Sequence, residues 1–240
     1  PYYSEPVTLS TSNSGMTKPD GTTPTATASN TKLLIFNTST ITDEGSSTSH
    51  TLTKYGNAAA STFGPKTGMY SAYIPNGDTD VVTIPASTEH QIYGGNYTME
   101  CWLYPTSWQT YSYFLSKGGN TTREWGFAIN PSDFTVYWNT SGSGGAGDSS
   151  YQAPVSNSLH EWAHFAVTKS GTTLSVFKNG AFIGSGTFTS IYGGNGLITI
   201  GRLMQYGGIA HDYHGYISNL RIITGQVLYD KDFTPPSRFR

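Results

Sequence analysis

Short apolar runs separated by turn residues recur along the chain from Leu33 onward. They begin with LLIF (33–36), MYSAYI (69–74), VVTI (81–84), YTMECWLY (97–104), YFLS (113–116), WGFAI (125–129) and FTVYW (134–138). AHFAVTK (163–169), TLSVFK (173–178), AFIGSG (181–186), LITIG (197–201) and GYISNLRII (215–223) follow. Runs of this length, punctuated by Gly, Asn, Asp and Pro, predict the strands of a sandwich or barrel. Alternation supports that reading, as where Leu174 and Val176 flank Ser175. Asn179-Gly180 suits a two-residue type I′ turn, because both residues tolerate positive φ. With a second tight turn at Ser170-Gly171, residues 163–186 are predicted to form a three-stranded meander. Ile-Tyr-Gly-Gly-Asn occurs at 92–96 and again at 191–195, but the flanks differ, so it reads as reused turn chemistry and not a domain repeat. No long amphipathic helix is predicted. Residues 1–31 hold Pro1, Pro6, Pro19 and Pro24 and almost no aliphatic side chains. They predict an extended arm preceding one sandwich over 32–240.

Composition narrows the class. Of 240 residues only 12% are charged and the formal net charge is −2, where an ordinary domain carries roughly twice that charged fraction. Thr (34), Ser (28) and Gly (28) dominate, and 14% of the chain is aromatic. The aromatics exclude a disordered chain, and the lack of basic excess excludes nucleic-acid binding by phosphate neutralisation. No apolar window is long enough for a membrane span, so no membrane insertion is expected. Cys101 stands alone, which excludes an internal disulfide and predicts a small buried apolar side chain. The opening PYYSEP lacks both a methionine and the layout of a secretory signal. Methionine removal before Pro1 or processing from a longer precursor would explain it. Four N-x-S/T sequons, at Asn37, Asn96, Asn120 and Asn139, are expected by chance in so hydroxyl-rich a chain.

Three motifs carry a family resemblance. NYTMECWLYPTS (96–107) resembles a strand motif of laminin-G-like, concanavalin A-like jelly-roll domains. LHEWAHFAVTKSGTTLSVFKNGAFIGSG (159–186) is similar to their central meander, and HGYISNLRIITGQVLYDKDFTPPSRF (214–239) to their closing strand and tail. The resemblance implies an all-β, concanavalin A-like (laminin-G-like) jelly-roll β-sandwich, here with an extended N-terminal arm. The tail at 227–236 is most like domains of tailed-phage virion proteins. That implies a non-enzymatic virion protein, a capsid or tail decoration, cement or fibre component, located in the virion. Its partners would be other virion proteins, further copies of itself and a host-surface glycan. The alternative is a secreted, extracellular carbohydrate-binding or adhesion module, and the outsider is a glycoside hydrolase. Fold alone does not choose among these.

His160-Glu161-Trp162-Ala163-His164 spells the H-E-x-x-H of zinc proteases, which requires a helix to bring both histidines to one metal. Here the pattern predicts a strand, in which residues four apart lie roughly 13 Å from one another. Glycosidases require a pair of carboxylates, whereas Glu100 stands alone in its strand. Sugar binding would use loop aromatics, and Trp108, Tyr111, Tyr151, Tyr206 and Tyr213 are the candidates, in Gly-rich loops at 106–113, 141–151 and 204–214. Trp102, Trp125, Trp138 and Trp162 fall in strand patterns and are expected to pack. Relatives often hold Ca²⁺ at the sandwich rim. Asp78, Asp80, Asp148 and Asp212 are the candidate ligands, with Asx turns as the competing explanation. His211-Asp212-Tyr213-His214 is a weaker transition-metal candidate.

Overall fold

The computed structural model describes residues 26–45, 49–75, 80–92, 94–118, 123–143, 146–188, 192–203 and 211–236. The first strands are β1 (Thr31–Ile35), β2 (Thr53–Lys54), β3 (Ala59–Ser61), β4 (Ser71–Ile74), β5 (Val82–Ile84), β6 (Tyr97–Ser107), β7 (Ser112–Gly118) and β8 (Arg123–Ile129). The remainder are β9 (Asp133–Ser143), β10 (Ala146–Pro154), β11 (Ala163–Ser170), β12 (Thr173–Lys178), β13 (Ala181–Thr187), β14 (Leu197–Ile200) and β15 (His214–Thr224). A 3₁₀ turn at Thr88–His90 is capped by the Ser87 hydroxyl. Among the described residues no helix is long and apolar enough to cross a membrane.

The strands form two antiparallel sheets stacked as a jelly-roll sandwich. One runs β13-β12-β11-β6-β15-β4-β3, with β1 also paired to β15, and the other β10-β9-β8-β7-β14-β5-β2. Every strand predicted from the apolar runs is present. The expected meander is β11-β12-β13, and Asn179 (φ 51°) and Gly180 (φ 83°) form its turn in the left-handed region. The period of two sorts each strand. Met99, Cys101 and Leu103 of β6 enter the core, where they meet Phe114, Phe127, Phe134, Val136 and Ile198 of the facing sheet. Thr98, Glu100, Trp102 and Tyr104 are left on the outer face. Burial drives the Cys101 thiol up, as befits a small apolar side chain.

The outer face of the eight-stranded sheet is itself partly covered. The tail after β15 folds back over β6, β11 and β12, burying Leu228, Tyr229 and Phe233 against Phe177, Ala166 and Leu34. Tyr229 and Phe233 stack with ring centroids 3.6 Å apart. Beneath them lies Glu100, wholly buried. Its carboxylate accepts from Arg221 Nε at 2.9 Å, from Arg221 Nη2, from the Tyr229 hydroxyl at 2.7 Å and from His164 Nε2 at 3.2 Å. Burial alone would raise this carboxyl, but Arg221 and His164 outweigh it and hold it below its ordinary value. The isolated carboxylate of the sequence is thus a structural tie between sheet and tail.

Two boundaries differ from the sequence reading. Ala26 is buried with the tail cluster and Thr27–Thr31 turn into β1, so the sandwich takes in residues assigned to the arm. Residues 146–151, read as part of a Gly-rich loop at 141–151, belong to the edge strand β10 paired along β9.

Candidate functional site

The outer face of the seven-stranded sheet carries the second aromatic surface. In β9, Phe134, Val136 and Trp138 point into the core, so Thr135 and Tyr137 point outward. In β7 a bulge between Tyr113 and Leu115 turns both Phe114 and Leu115 inward and leaves Tyr113 on the outer face. Tyr113 lies over Gly126 of β8, where a Cβ would stand 2.9 Å from its ring. The glycine makes room for that ring to reach Tyr137, centroid to centroid 5.4 Å. Tyr111, at the end of the β6–β7 loop, meets Tyr137 edge-on at 6.1 Å and stacks on His211 at 6.0 Å and 11°. A parallel bridge between Tyr113 and Asp212 holds the 211–213 segment beside β7. Leu203 packs against the same cluster.

The phenol of Tyr113 interacts electrostatically with Arg123 and Tyr137, and that of Tyr137 with Tyr111. Burial pushes the Tyr137 phenol up to about 12, with Tyr111 adding to the effect. The Tyr113 and Tyr137 phenols, both raised by burial, therefore stay protonated at neutral pH, able both to donate and to accept. Burial, and then the positive charge of Arg123, lower His211 from its ordinary value. Arg202 Nε stands 3.5 Å from Asp212 Oδ1. Tyr111 and Tyr137 are only half-buried, so the surface presents ring faces beside hydroxyl, imidazole and guanidinium groups. Such an arrangement can take a polyhydroxylated ring, whose C–H face packs on aromatics while its hydroxyls find donors and acceptors.

The sequence candidates fare unequally. Tyr111 and Asp212 come together here. Trp108 lies in the same loop as Tyr111 and packs half-buried on the core. Tyr213 is not a loop aromatic open to ligand: it is wholly buried, donating to Tyr216 O and accepting from Tyr104 N, both at 3.0 Å. Tyr151 stands in β10, its ring pressed over Gly184 and Gly186 of β13. Tyr206 and Asp78 lie outside the described residues. Asp80 is buried and accepts from the Asn57 backbone amide at 2.6 Å, a long-range tie across 23 positions of the chain. Asp148 pairs with Asn139 in the β9–β10 ladder. Among the described residues no three His, Cys, Asp or Glu side chains are grouped to hold a metal. His160 (φ 59°) occupies a turn and His164 a strand, so H-E-x-x-H forms no helix. Tyr113 and Tyr137 are not among the sequence candidates, which were drawn from loops, although the alternation Phe134-Thr135-Val136-Tyr137 already places Tyr137 outside.

Comparison with known proteins agrees with this architecture. Residues 76–229 match the model of the concanavalin A-like lectin/glucanases superfamily. No curated protein matches the chain by sequence. Among solved structures, it superposes on the binding domain of Paraclostridial Mosquitocidal Protein 1 (TM-score 0.66, 9% identity, 83% of this chain and 50% of that one). It also superposes on a botulinum neurotoxin type C structure, described in terms of cell entry dependent upon two ganglioside molecules (0.62, 13%, 83% and 49%). A third neighbour is domain 4 of AbnA, an extracellular arabinanase from Geobacillus stearothermophilus, in complex with arabinotriose (0.58, 17%, 82% and 93%). The chain spans about half the length of the toxin domains it matches and nearly all of the arabinanase domain. At these identities the likeness is one of fold.

Proposed function

Because the chain belongs to the concanavalin A-like lectin/glucanases superfamily, we propose that it is a non-enzymatic, lectin-like module that binds a glycan through the outer face of its seven-stranded sheet. The observation that carries this reading is the gathering of Tyr111, Tyr137 and His211 on one exposed face, with their hydroxyls and the guanidinium of Arg123 around them. Arabinotriose bound to the arabinanase domain, a protein of the same fold and nearly the same extent, supports a saccharide as ligand. The lone inward-tied Glu100 supports binding over hydrolysis, since its oxygens are committed to Arg221, His164 and Tyr229. A glycan array tests the proposal. Wild-type protein should give hits that weaken about tenfold in Tyr111→Ala and Tyr137→Ala, the size expected for losing one stacked aromatic with its hydroxyl. A blank array, or hits indifferent to both changes, would overturn it.

Attachment to a virion, as a capsid or tail decoration or a fibre component, is the second reading. It is supported by the closing motif at 227–236 and by the path of the chain. Ala26 enters among the tail residues on the outer face of the eight-stranded sheet, so an arm docked to a neighbouring virion protein or second copy would leave the Tyr111 face turned outward. A free extracellular adhesion module would present the same face without that anchorage.

A further inference from the structure

The tail leaves one end of the eight-stranded sheet's outer face bare. There β6, β15 and β4 run side by side, and the register sets Tyr104 opposite Tyr216 and Tyr216 opposite Tyr73. Tyr73 and Tyr216 stack at 4.7 Å, and Phe63 meets Tyr104 and Tyr216 edge-on at 4.9 Å each. Trp162, just ahead of β11, completes the group, 5.4 Å from Tyr104 and 5.6 Å from Phe63. Phe63 is 43% exposed, and the other four rings are partly open. An exposed aromatic patch of this extent marks a contact. The tail does not make it among the described residues, because it crosses to the β12–β13 turn, where Phe233 N donates to Gly180 O.

The chain itself carries a fitting occupant. Residues 1–25 lead into Ala26, which is buried in one cluster with Ile223 and the tail on this same outer face. From Ile223 to Tyr216 the strand runs seven residues, roughly 23 Å. Extended proline-rich chain advances about 3.1 Å per residue, so about seven residues upstream of Ala26 span that distance and bring Pro19 to the rings. Composition agrees. Proline-rich segments dock on aromatic-lined surfaces, and this one holds Pro1, Pro6, Pro19 and Pro24 beside Tyr2 and Tyr3. Charge agrees as well. Lys66 places its ammonium 5.3 Å from the centre of the Trp102 ring, two residues from Tyr104 on the same face of β6, and Asp20 follows Pro19. Tethering gives the segment a local concentration of about a millimolar, so a weak contact suffices.

We propose that this five-ring patch is the seat of the chain's own N-terminal segment, with Pro19 laid on the rings of Phe63 and Tyr216. A partner that engages the segment must first lift it from there. The seat is on the sheet opposite the Tyr111 face and is independent of what that face binds.

A nitroxide near Pro19 tests this in the full chain. Thr17→Cys takes the label, since Cys101, the other thiol, is wholly buried. In dilute ¹⁵N-labelled protein the nitroxide should broaden the amides of Phe63, Trp162 and Tyr216 and leave Tyr137 of the other sheet sharp. Phe63→Ala, at an exposed position, should cut that broadening about fivefold, the order expected for one lost ring contact. Pro19→Gly, a change in the segment itself, should act alike, so that a folding defect cannot mimic the result. Equal broadening in both variants, or broadening spread evenly over both outer faces, would overturn the seat. So would broadening that needs a nitroxide-bearing copy mixed with a separate ¹⁵N-labelled copy, since the occupant would then be a second molecule.

Discussion

His90 shows how burial sets the behaviour of a single residue. The 3₁₀ turn at Thr88–His90 drives it fully into the protein, its ring 4.3 Å from that of His50. His50 in turn meets Asp43 at 2.7 Å and Glu89 at 3.3 Å. Burial, then the charge of His50, lower His90 from 6.5 to about 4. Its folded value lies below its unfolded one, so the unfolded chain takes up the proton first as the pH falls. Stability from keeping His90 neutral is thus present above pH 6.5, declines between 6.5 and about 4, and is flat below. The shift corresponds to about 3 kcal/mol. His90→Gln should flatten the acid limb by that order, measured from urea unfolding at pH 7 and pH 4. Equal acid sensitivity in the two proteins would exclude His90 as the cause. None of this was legible beforehand, since a lone histidine after Thr-Glu gives no sign of being buried.

At the scale of elements, the strands that could be read were those with apolar side chains on at least one face. β10 escaped because AGDSSYQAP offers Tyr151 and Ala153 as its only inward groups, and an edge strand of Gly and Ser looks like a loop. The tail escaped for another reason: its motif was visible, but its docking depends on partners far away in sequence. Thr98 accepts from the Leu228 amide, Thr168 donates to Tyr229 O, and the Phe233 amide donates to Gly180 O. The best hairpin signal of the sequence, Asn179-Gly180, therefore does two jobs. Gly180 needs its positive φ, and a Cβ there would stand 1.8 Å from Phe233 O. Gly180→Ala should cost about 1–2 kcal/mol for the left-handed backbone and in addition push the tail off its seat. Hydrogen exchange should then quicken at Leu228 and Phe233 more than along β11. Uniform change through both would mean that the turn alone was strained.

For the whole molecule, the two outer faces have different fates. One is partly covered by the tail and receives the chain at Ala26, and the other displays Tyr111 and Tyr137. This division predicts that removing residues 1–25 leaves a folded sandwich with a melting temperature near that of the full chain. If the arm is the anchor, the shortened protein fails to co-purify with its assembly. Loss of the cooperative melt would show instead that these residues belong to the fold. Overall architecture was legible because three separated motifs agree in order and spacing. The sites were less so, because which face of a sheet stays open is decided by what folds over it.

β15 pairs with β1, β4 and β6 and supplies Arg221 to the buried Glu100. It is also the last of these fifteen strands in chain order. Until residues 214–224 have emerged, β1 and β4 lack the neighbour that joins them to β6, and the eight-stranded sheet remains in pieces. Closure must then wait for contacts some 120–190 positions apart along the chain, such as Glu100 with Arg221 and Thr31 with Ile223. Such long-range pairing makes for slow folding. While residues 31–213 are emerging, the nascent sheet has open strand edges, and a chaperone that shields such edges would raise the yield of folded sandwich.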